Sequence, residues 1–224
     1  MTAPQLLLIA LTDSSELVSD LGELLPHSLG ALTALTLPLN SADQLHPPSQ
    51  ELLLRFLVNL QNAWERHPLI PFRFGQSFTS LATLQDRLSP DLDQYEELLP
   101  KLGPCGEISL RIPLSPEDLE PPLSPSSSSP SKGRTYLESR RAALSSDPLL
   151  FPALQARVRD ILSTFDHLSL RATHQLFSTP PPRTELELTL LLPREDLSRA
   201  LQIARTLSDV TVTGPFPPLS FANP

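Results

Sequence analysis

The side chains best suited to acid–base or metal chemistry in this chain are its five histidines. They are His27, His46, His67, His167 and His174. The chain has neither a His-Glu-x-x-His nor a Cys-x-x-Cys pattern, so the histidine spacing does not favour a metal site. His174 shares a predicted strand face with leucines and has no carboxylate close in sequence. This favours a partly buried, structural histidine over a catalytic one.

Two other patterns resemble functional motifs only in part. Lys132 and Gly133 follow a run of serines, but the leading glycine of a phosphate-binding loop is missing and no predicted strand precedes them. Four acidic residues stand at a predicted helix start, where they suit the helix dipole and solvent better than paired acid catalysis. They are Asp91, Asp93, Glu96 and Glu97. We therefore predict no catalytic residue, cofactor, metal site or small-molecule substrate.

Composition narrows the class of protein further. A chain of 224 residues that is 40% hydrophobic can bury a core, and its length suits two small domains. The net charge of −8 includes no basic stripe, so nucleic acid is not an expected partner. Cys105 is the single cysteine, which suits a reducing cytoplasm. The apolar run at residues 6–11 is too short to span a membrane, and no membrane partner is expected.

Hydrophobic periodicity and proline positions divide the chain into short elements. The predicted strands cover residues 5–11, 31–37, 69–74, 107–112, 168–176, 185–192 and 210–212. The predicted helices cover residues 14–25, 51–66, 80–88, 92–102, 134–144, 154–165 and 193–207. Ser49 is placed to cap the helix at residues 51–66. That helix is expected to bury Leu53, Phe56, Leu57, Leu60 and Trp64.

These elements predict an α+β protein of two small domains. We place an N-terminal domain at residues 1–103, with a mixed sheet and helices on one face. The C-terminal domain, residues 104–224, has the βαββαβ order of a ferredoxin-like fold. Within it we expect a disordered Pro/Ser-rich loop at about 113–132 and a docked tail at residues 214–224.

Arg73 stands out because it interrupts an apolar segment between Phe72 and Phe74. On a strand it would point away from both aromatic rings, towards the opposite face. An arginine inside an apolar strand must pair its charge, which favours a buried carboxylate partner over contact with another protein. Gly75 would supply the turn out of the strand.

Three segments carry a resemblance to a known family. Pro71, Arg73, Phe74 and Gly75, followed by Phe78, resemble the Pro-x-Arg-Phe-Gly-x-x-Phe signature of the gas vesicle GvpL/GvpF proteins. Residues 133–141, including Tyr136 and Arg140, are similar to the family's Gly-x-x-Tyr-Leu-x-x-Arg motif. Residues 213–221 are similar to its terminal Thr-Gly-Pro-Trp-Pro-Pro-Tyr-Ser-Phe. In this closing segment Phe216 and Leu219 replace the usual Trp and Tyr, and the other seven residues match, among them Gly214, Pro215, Pro218 and Phe221.

These replacements remove an indole N–H and a phenol O–H, so we expect the tail to dock by apolar packing. The family-motif residues are structural or partner-binding candidates. The resemblance implies a cytoplasmic, gas vesicle-associated accessory protein of two α+β domains that is not an enzyme. It would bind the apolar shell protein GvpA, with other gas vesicle proteins as further partners, and prevent aggregation of GvpA during vesicle nucleation.

Two alternatives stay open. The chain would instead be a permanent structural component lining the vesicle wall, or, less favoured, a small cytoplasmic enzyme on a ferredoxin-like scaffold. The scattered histidines argue against the enzyme.

Overall fold

A computed structural model describes residues 5–13, 21–40, 45, 47–115, 152–178 and 184–222. The fold is α+β, as predicted, with two antiparallel sheets and helices packed against them. In this part of the chain no helix is long and apolar enough to cross a membrane.

The first sheet is built around a central strand, β1. Its strands are β1 (Gln5–Asp13), β2 (Leu25–Leu29), β3 (Leu32–Leu39), β4 (Leu69–Pro71) and β5 (Ser77–Phe78). β3 pairs with one side of β1, β4 and β5 pair with successive parts of the other side, and β2 forms the edge beyond β3. All of these pairings are antiparallel, so the mixed sheet that we expected is an antiparallel one.

Three helices accompany this sheet, close to their predicted positions. They are α1 (Gln50–Arg66), α2 (Leu81–Leu88) and α3 (Leu92–Leu102). The Ser49 hydroxyl accepts a hydrogen bond from the Leu52 N–H, which confirms Ser49 as the N-cap of α1. α2 also begins at a serine cap, where Ser80 and Thr83 form a reciprocal capping box.

β1 is buried on both faces, as its unbroken apolar run predicts. One face, with Leu8 and Leu11, forms a single core cluster with buried residues of α2 and α3. The buried side chains of α1 lie outside this cluster, and the fully buried Leu7 and Leu37 face away from it. We therefore place α1 against the opposite face, so this sheet has helices on both faces rather than on the one expected.

The prediction of which α1 side chains are buried is wrong at Leu57. The helix buries Leu52, Phe56, Leu60, Ala63 and Trp64, while Leu57 is 51% exposed. The helical stripe is rotated by about one residue from the predicted one, because both sides of the stripe are leucine-rich and periodicity does not distinguish them.

β2 is a strand that the sequence analysis missed. We expected a helix at residues 14–25. Residues 14–20 lie outside the described part of the chain, residues 21–24 are not helical, and β2 begins at Leu25. β2 contains Pro26, which fits an edge strand because proline cannot donate a ladder hydrogen bond towards an inner neighbour.

The second sheet has the strand order β7-β8-β6-β9. Its strands are β6 (Cys105–Leu114), β7 (Arg171–Ser178), β8 (Thr184–Pro193) and β9 (Thr211–Phe216), with helices α4 (Pro152–Ser163) and α5 (Leu197–Ala204). The chain order is strand, helix, strand, strand, helix, strand, and each βαβ unit has a strand of the other unit between its own two. This agrees with the expected ferredoxin-like arrangement, which stays an interpretation. Residues 116–151, which include most of the loop at about 113–132, lie outside the described residues.

Contacts divide the chain into two compact units. Unit 1 comprises Met1–Glu107, Leu191–Leu197 and Gly214–Pro224, and unit 2 comprises Ile108–Leu190 and Ser198–Thr213. The division into domains at residues 1–103 and 104–224 stays a prediction. The boundaries of the compact units differ from these predicted ones, because the closing segment of the chain is grouped with the N-terminal residues.

Candidate functional site

The segment that carries Arg73 is a short excursion from β1. Pro71 pairs with Ala10, and Ser77 pairs with Leu7, so five residues of this segment stand opposite only two of β1. The excursion is fixed at both ends: the Phe72 N–H donates to the Ile9 carbonyl and the Leu8 N–H donates to the Gln76 carbonyl, both at 2.9 Å. Arg73, Phe74 and Gly75 therefore leave the sheet together. The prediction that the strand continues to residue 74 is wrong, because β4 ends at Pro71.

Gly75 and the two phenylalanines shape this excursion. Gly75 has φ +104°, a conformation that favours glycine, which confirms its expected role in the turn. Phe74 packs edge-to-face against Phe56 of α1, with ring centroids 5.3 Å apart. Phe72 packs against Tyr95 of α3 at 5.7 Å. Aromatic packing thus anchors the residues on either side of Arg73.

Arg73 itself is exposed, which contradicts the expected buried ion pair. The expectation assumed that the strand continued through residue 73, where alternation would have turned the side chain into the protein. Since the chain leaves the sheet first, the guanidinium reaches solvent and burial imposes no requirement for a partner. Phe78 lies on β5 and packs against the core cluster, so this motif residue is structural.

Arg73 lines a cavity of about 230 Å³ in unit 1, which we call the Arg73 cavity. It is lined by Pro71, Phe72, Arg73, Gln76, Arg87, Leu88, Asp91, Tyr95, Leu219 and Ala222. The first family motif and the closing segment, far apart in sequence, therefore meet at one cavity.

The charges around this cavity are two guanidinium groups and one carboxylate. Arg87 Nη1 donates to Asp91 Oδ2 at 3.3 Å, a pair one helical turn apart. Burial, and to a smaller extent the charge of Asp91, raise the pKa of the Tyr95 phenol, while Arg87 opposes the shift. Tyr95 is therefore a neutral hydroxyl at neutral pH, and the lining carries one net positive charge.

The closing segment is held by a carboxylate, which the sequence analysis did not foresee. Glu107 is 6% exposed, and its two carboxylate oxygens accept from the Ser220 N–H at 2.9 Å and the Ser220 hydroxyl at 3.1 Å. Phe221 and Ala222 then enter the core cluster. Docking therefore includes hydrogen bonds to a carboxylate and is not purely apolar.

Phe216 does not anchor the tail, since it is 42% exposed. β9 runs through Gly214 and Pro215 to Phe216, with a cis peptide bond between the first two. The two prolines that follow, Pro217 and Pro218, are buried. The apolar part of the docking therefore comes from these prolines and from Phe221, and a side chain at position 216 is free to face solvent.

A second buried polar group, also missed from the sequence, is centred on Arg194. Its guanidinium lies 4.9 Å from the Trp64 ring centroid and donates to the His67 carbonyl at 2.7 Å. The Trp64 indole N–H donates to the Cys105 carbonyl at 2.9 Å. Burial lowers the pKa of Arg194 and raises the pKa of the Cys105 thiol. This group joins α1 and β6 to the turn that follows β8, all within unit 1, and is structural.

Two motif residues lie outside the described part of the chain: Tyr136 and Arg140. Within the described part, no group of three or more His, Cys, Asp or Glu side chains is placed to hold a metal ion. His174 is half-buried on β7. The candidate site is therefore the Arg73 cavity of unit 1, where the first family motif and the closing segment meet.

Comparison with known proteins tests the resemblance of the sequence motifs and the fold. The family model for gas vesicle synthesis protein GvpL/GvpF matches residues 16–223 and confirms the resemblance of the motifs. None of the curated proteins compared matches the chain. The crystal structure of gas vesicle protein GvpF from Anabaena sp. PCC7120 superposes with a TM-score of 0.70 and 17% identity, covering 99% of this chain and 97% of that one.

The GvpF structure from Microcystis aeruginosa gives a TM-score of 0.67 and 17% identity, covering 100% of both chains. At this identity the two structures support the α+β fold alone. The family model, by contrast, spans well over half of the sequence. The chain therefore belongs to the gas vesicle synthesis protein GvpL/GvpF family.

Proposed function

We propose that this chain is a gas vesicle accessory protein that binds the apolar shell protein GvpA and prevents its aggregation during vesicle nucleation. Membership of a gas vesicle synthesis family supports the process, and an exposed apolar row on α1 supports the contact. The proposed location is the cytoplasm and the gas vesicle surface.

The row on α1 is the observation that carries the proposal. Leu54, Leu57 and Val58 are 54%, 51% and 55% exposed, and they lie at i, i+3 and i+4 on one side of the helix. Buried residues occupy the other side, so α1 is apolar on two faces where a helix at a protein surface needs only one. A contiguous exposed apolar row marks a surface that another apolar chain can cover.

The energy available from this row suits a reversible contact. Burying an exposed aliphatic side chain fully contributes about 1.5–3 kcal/mol, and these three are about half exposed already. Each therefore contributes about 1 kcal/mol, and an apolar partner covering all three gains about 3 kcal/mol before other contacts. Such a contact shields a shell subunit without trapping it.

Co-expression with GvpA tests the proposal. We expect soluble GvpA to rise when this chain is present and the two proteins to co-purify. Leu57→Lys should reduce the recovered complex about tenfold, because it removes an apolar contact and places a charge in the interface. Gln85→Lys, at an exposed position on α2, adds the same charge away from the row and should leave recovery unchanged. Equal recovery with both variants would refute a role for the row.

Washing purified vesicles with denaturant separates the assembly factor from a permanent wall component. A transient factor should be removed while the shell stays intact. Retention after the wash would favour the structural alternative and overturn the proposed transient role.

A further inference from the structure

We propose that the Arg73 cavity is a binding site for a carboxylate, such as the C-terminal carboxylate or a glutamate side chain of a protein partner. The inference does not depend on the apolar row of α1 or on GvpA being the partner. It rests on how Arg73 is held, on the charge of the lining and on the polar groups beside it.

Arg73 is positioned before any ligand arrives. The backbone hydrogen bonds of Phe72 and Gln76 to β1 fix both ends of the excursion, and Gly75 sets its turn. The flanking rings of Phe72 and Phe74 pack against Tyr95 and Phe56. A guanidinium on so constrained a backbone loses less entropy on binding than one on a mobile loop.

The lining is positive although the protein is acidic. Arg73 and Arg87 carry two positive charges and Asp91 one negative charge, so the lining has a net charge of +1 in a chain of net charge −8. Arg87 is engaged with Asp91, which leaves Arg73 as the cation presented at an exposed position. One net positive charge suits a monovalent anion better than a phosphate, which would need further cations.

The rest of the lining is mostly polar. Gln76 and Tyr95 stand beside the charged residues, whereas Phe72, Leu88 and Ala222 are buried and present little apolar surface. The Tyr95 phenol is protonated at neutral pH, and burial raises its pKa further, so it is able to donate a hydrogen bond. A planar carboxylate matches the fork of a guanidinium and accepts such hydrogen bonds.

Binding to the purified full chain tests this assignment by NMR titration. The probes are N-acetyl-leucine, N-acetyl-leucinamide, N-acetyl-glutamate amide and inorganic phosphate. We expect N-acetyl-leucine or N-acetyl-glutamate amide to bind at least about tenfold more tightly than N-acetyl-leucinamide, because only the first two carry a carboxylate. The tighter of these two distinguishes a C-terminal from a side-chain source. Equal binding of acid and amide, or tighter binding of phosphate, would overturn the proposal.

Variants locate the site. Arg73→Gln should weaken carboxylate binding about tenfold or more, since a charge-assisted bond contributes about 1.5–3 kcal/mol. Arg73→Lys keeps the charge and should lose only part of the affinity. Arg205→Ala removes an exposed arginine of unit 2 and should bind as the wild type does. Folding of each variant is checked by circular dichroism, and undiminished binding by a folded Arg73→Gln protein would refute the site.

Discussion

The contact between Glu107 and Ser220 predicts how firmly the closing segment is held, and Ser220→Ala tests it. The substitution removes the hydroxyl that donates to Glu107 Oε1 at 3.1 Å and keeps the backbone N–H that donates to Oε2 at 2.9 Å. The carboxylate stays in its buried position, so it is left with one bond fewer.

The size of the effect follows from the two environments. A hydrogen bond to a charged group contributes about 1.5–3 kcal/mol, and more when water cannot replace it. Glu107 is buried but Ser220 is exposed, so water reaches one side of the contact and we expect the lower end, about 1.5 kcal/mol. Because 1.4 kcal/mol corresponds to about a tenfold change in an equilibrium constant, opening of the tail should become about tenfold more frequent.

Amide hydrogen exchange at residue 220 measures this opening directly. In Ser220→Ala the exchange rate, corrected for the intrinsic difference between serine and alanine, should rise about tenfold. Ser77→Ala, at an exposed serine on β5, is the matched control and should leave the rate at residue 220 unchanged. Unchanged protection in Ser220→Ala would refute the view that the carboxylate holds the tail.

Glu107→Ala is expected to lower the free energy of unfolding by less than the sum of two such hydrogen bonds. The substitution removes both acceptors, but it also removes a buried charge whose desolvation opposes folding. The free-energy change of the double variant Glu107→Ala/Ser220→Ala should therefore be close to that of Glu107→Ala alone. Additive effects would show that the two side chains act independently.

Three further predictions concern other parts of the chain. Gly106→Ala places a Cβ 2.6 Å from Trp64 Cζ2 and 2.9 Å from Leu197 Cδ1, so urea denaturation should show a loss of about 1–3 kcal/mol. Burial lowers the pKa of His27 from 6.5, so the unfolded chain binds more protons below that pH, and stability falls as pH falls through this window. His27→Gln should remove this part of the pH dependence, and an unchanged slope would contradict it. Cys105 is 2% exposed with a raised thiol pKa, so a thiol reagent should react with it slowly until denaturant is added; fast reaction of the native protein would contradict its burial.

Elements with a strong local signal could be predicted from the sequence. α1 has a serine cap and apolar residues at helical spacing, and β1 is an unbroken apolar run. Each of these local patterns indicates the element and its burial without knowledge of its neighbours. β2 was missed because Pro26 disfavours a strand except at a sheet edge, and an edge position is a property of the whole sheet.

The candidate site was harder to predict because non-local pairing determines it. Arg73 was placed on a strand by its apolar neighbours, but the ladder partners Ile9 and Leu8 take up the residues on either side and force the chain outwards. Glu107 and Ser220 are 113 positions apart, and nothing in the local sequence of either one indicates the other. The family motifs indicated which segments form the candidate site. The role of each segment depends on the strand with which it pairs or to which it hydrogen-bonds.

The grouping of Gly214–Pro224 and Leu191–Leu197 with unit 1 has a consequence for synthesis on the ribosome. Domains generally fold in the order in which they are made, the N-terminal one first. Here Phe221 and Ala222 complete the core cluster of Leu8 and Leu11, so that core stays unfinished until all of unit 2 has been synthesised. A nascent chain lacking these last residues exposes apolar surface on α2 and α3. Unit 1 therefore completes its core only after unit 2 has been made.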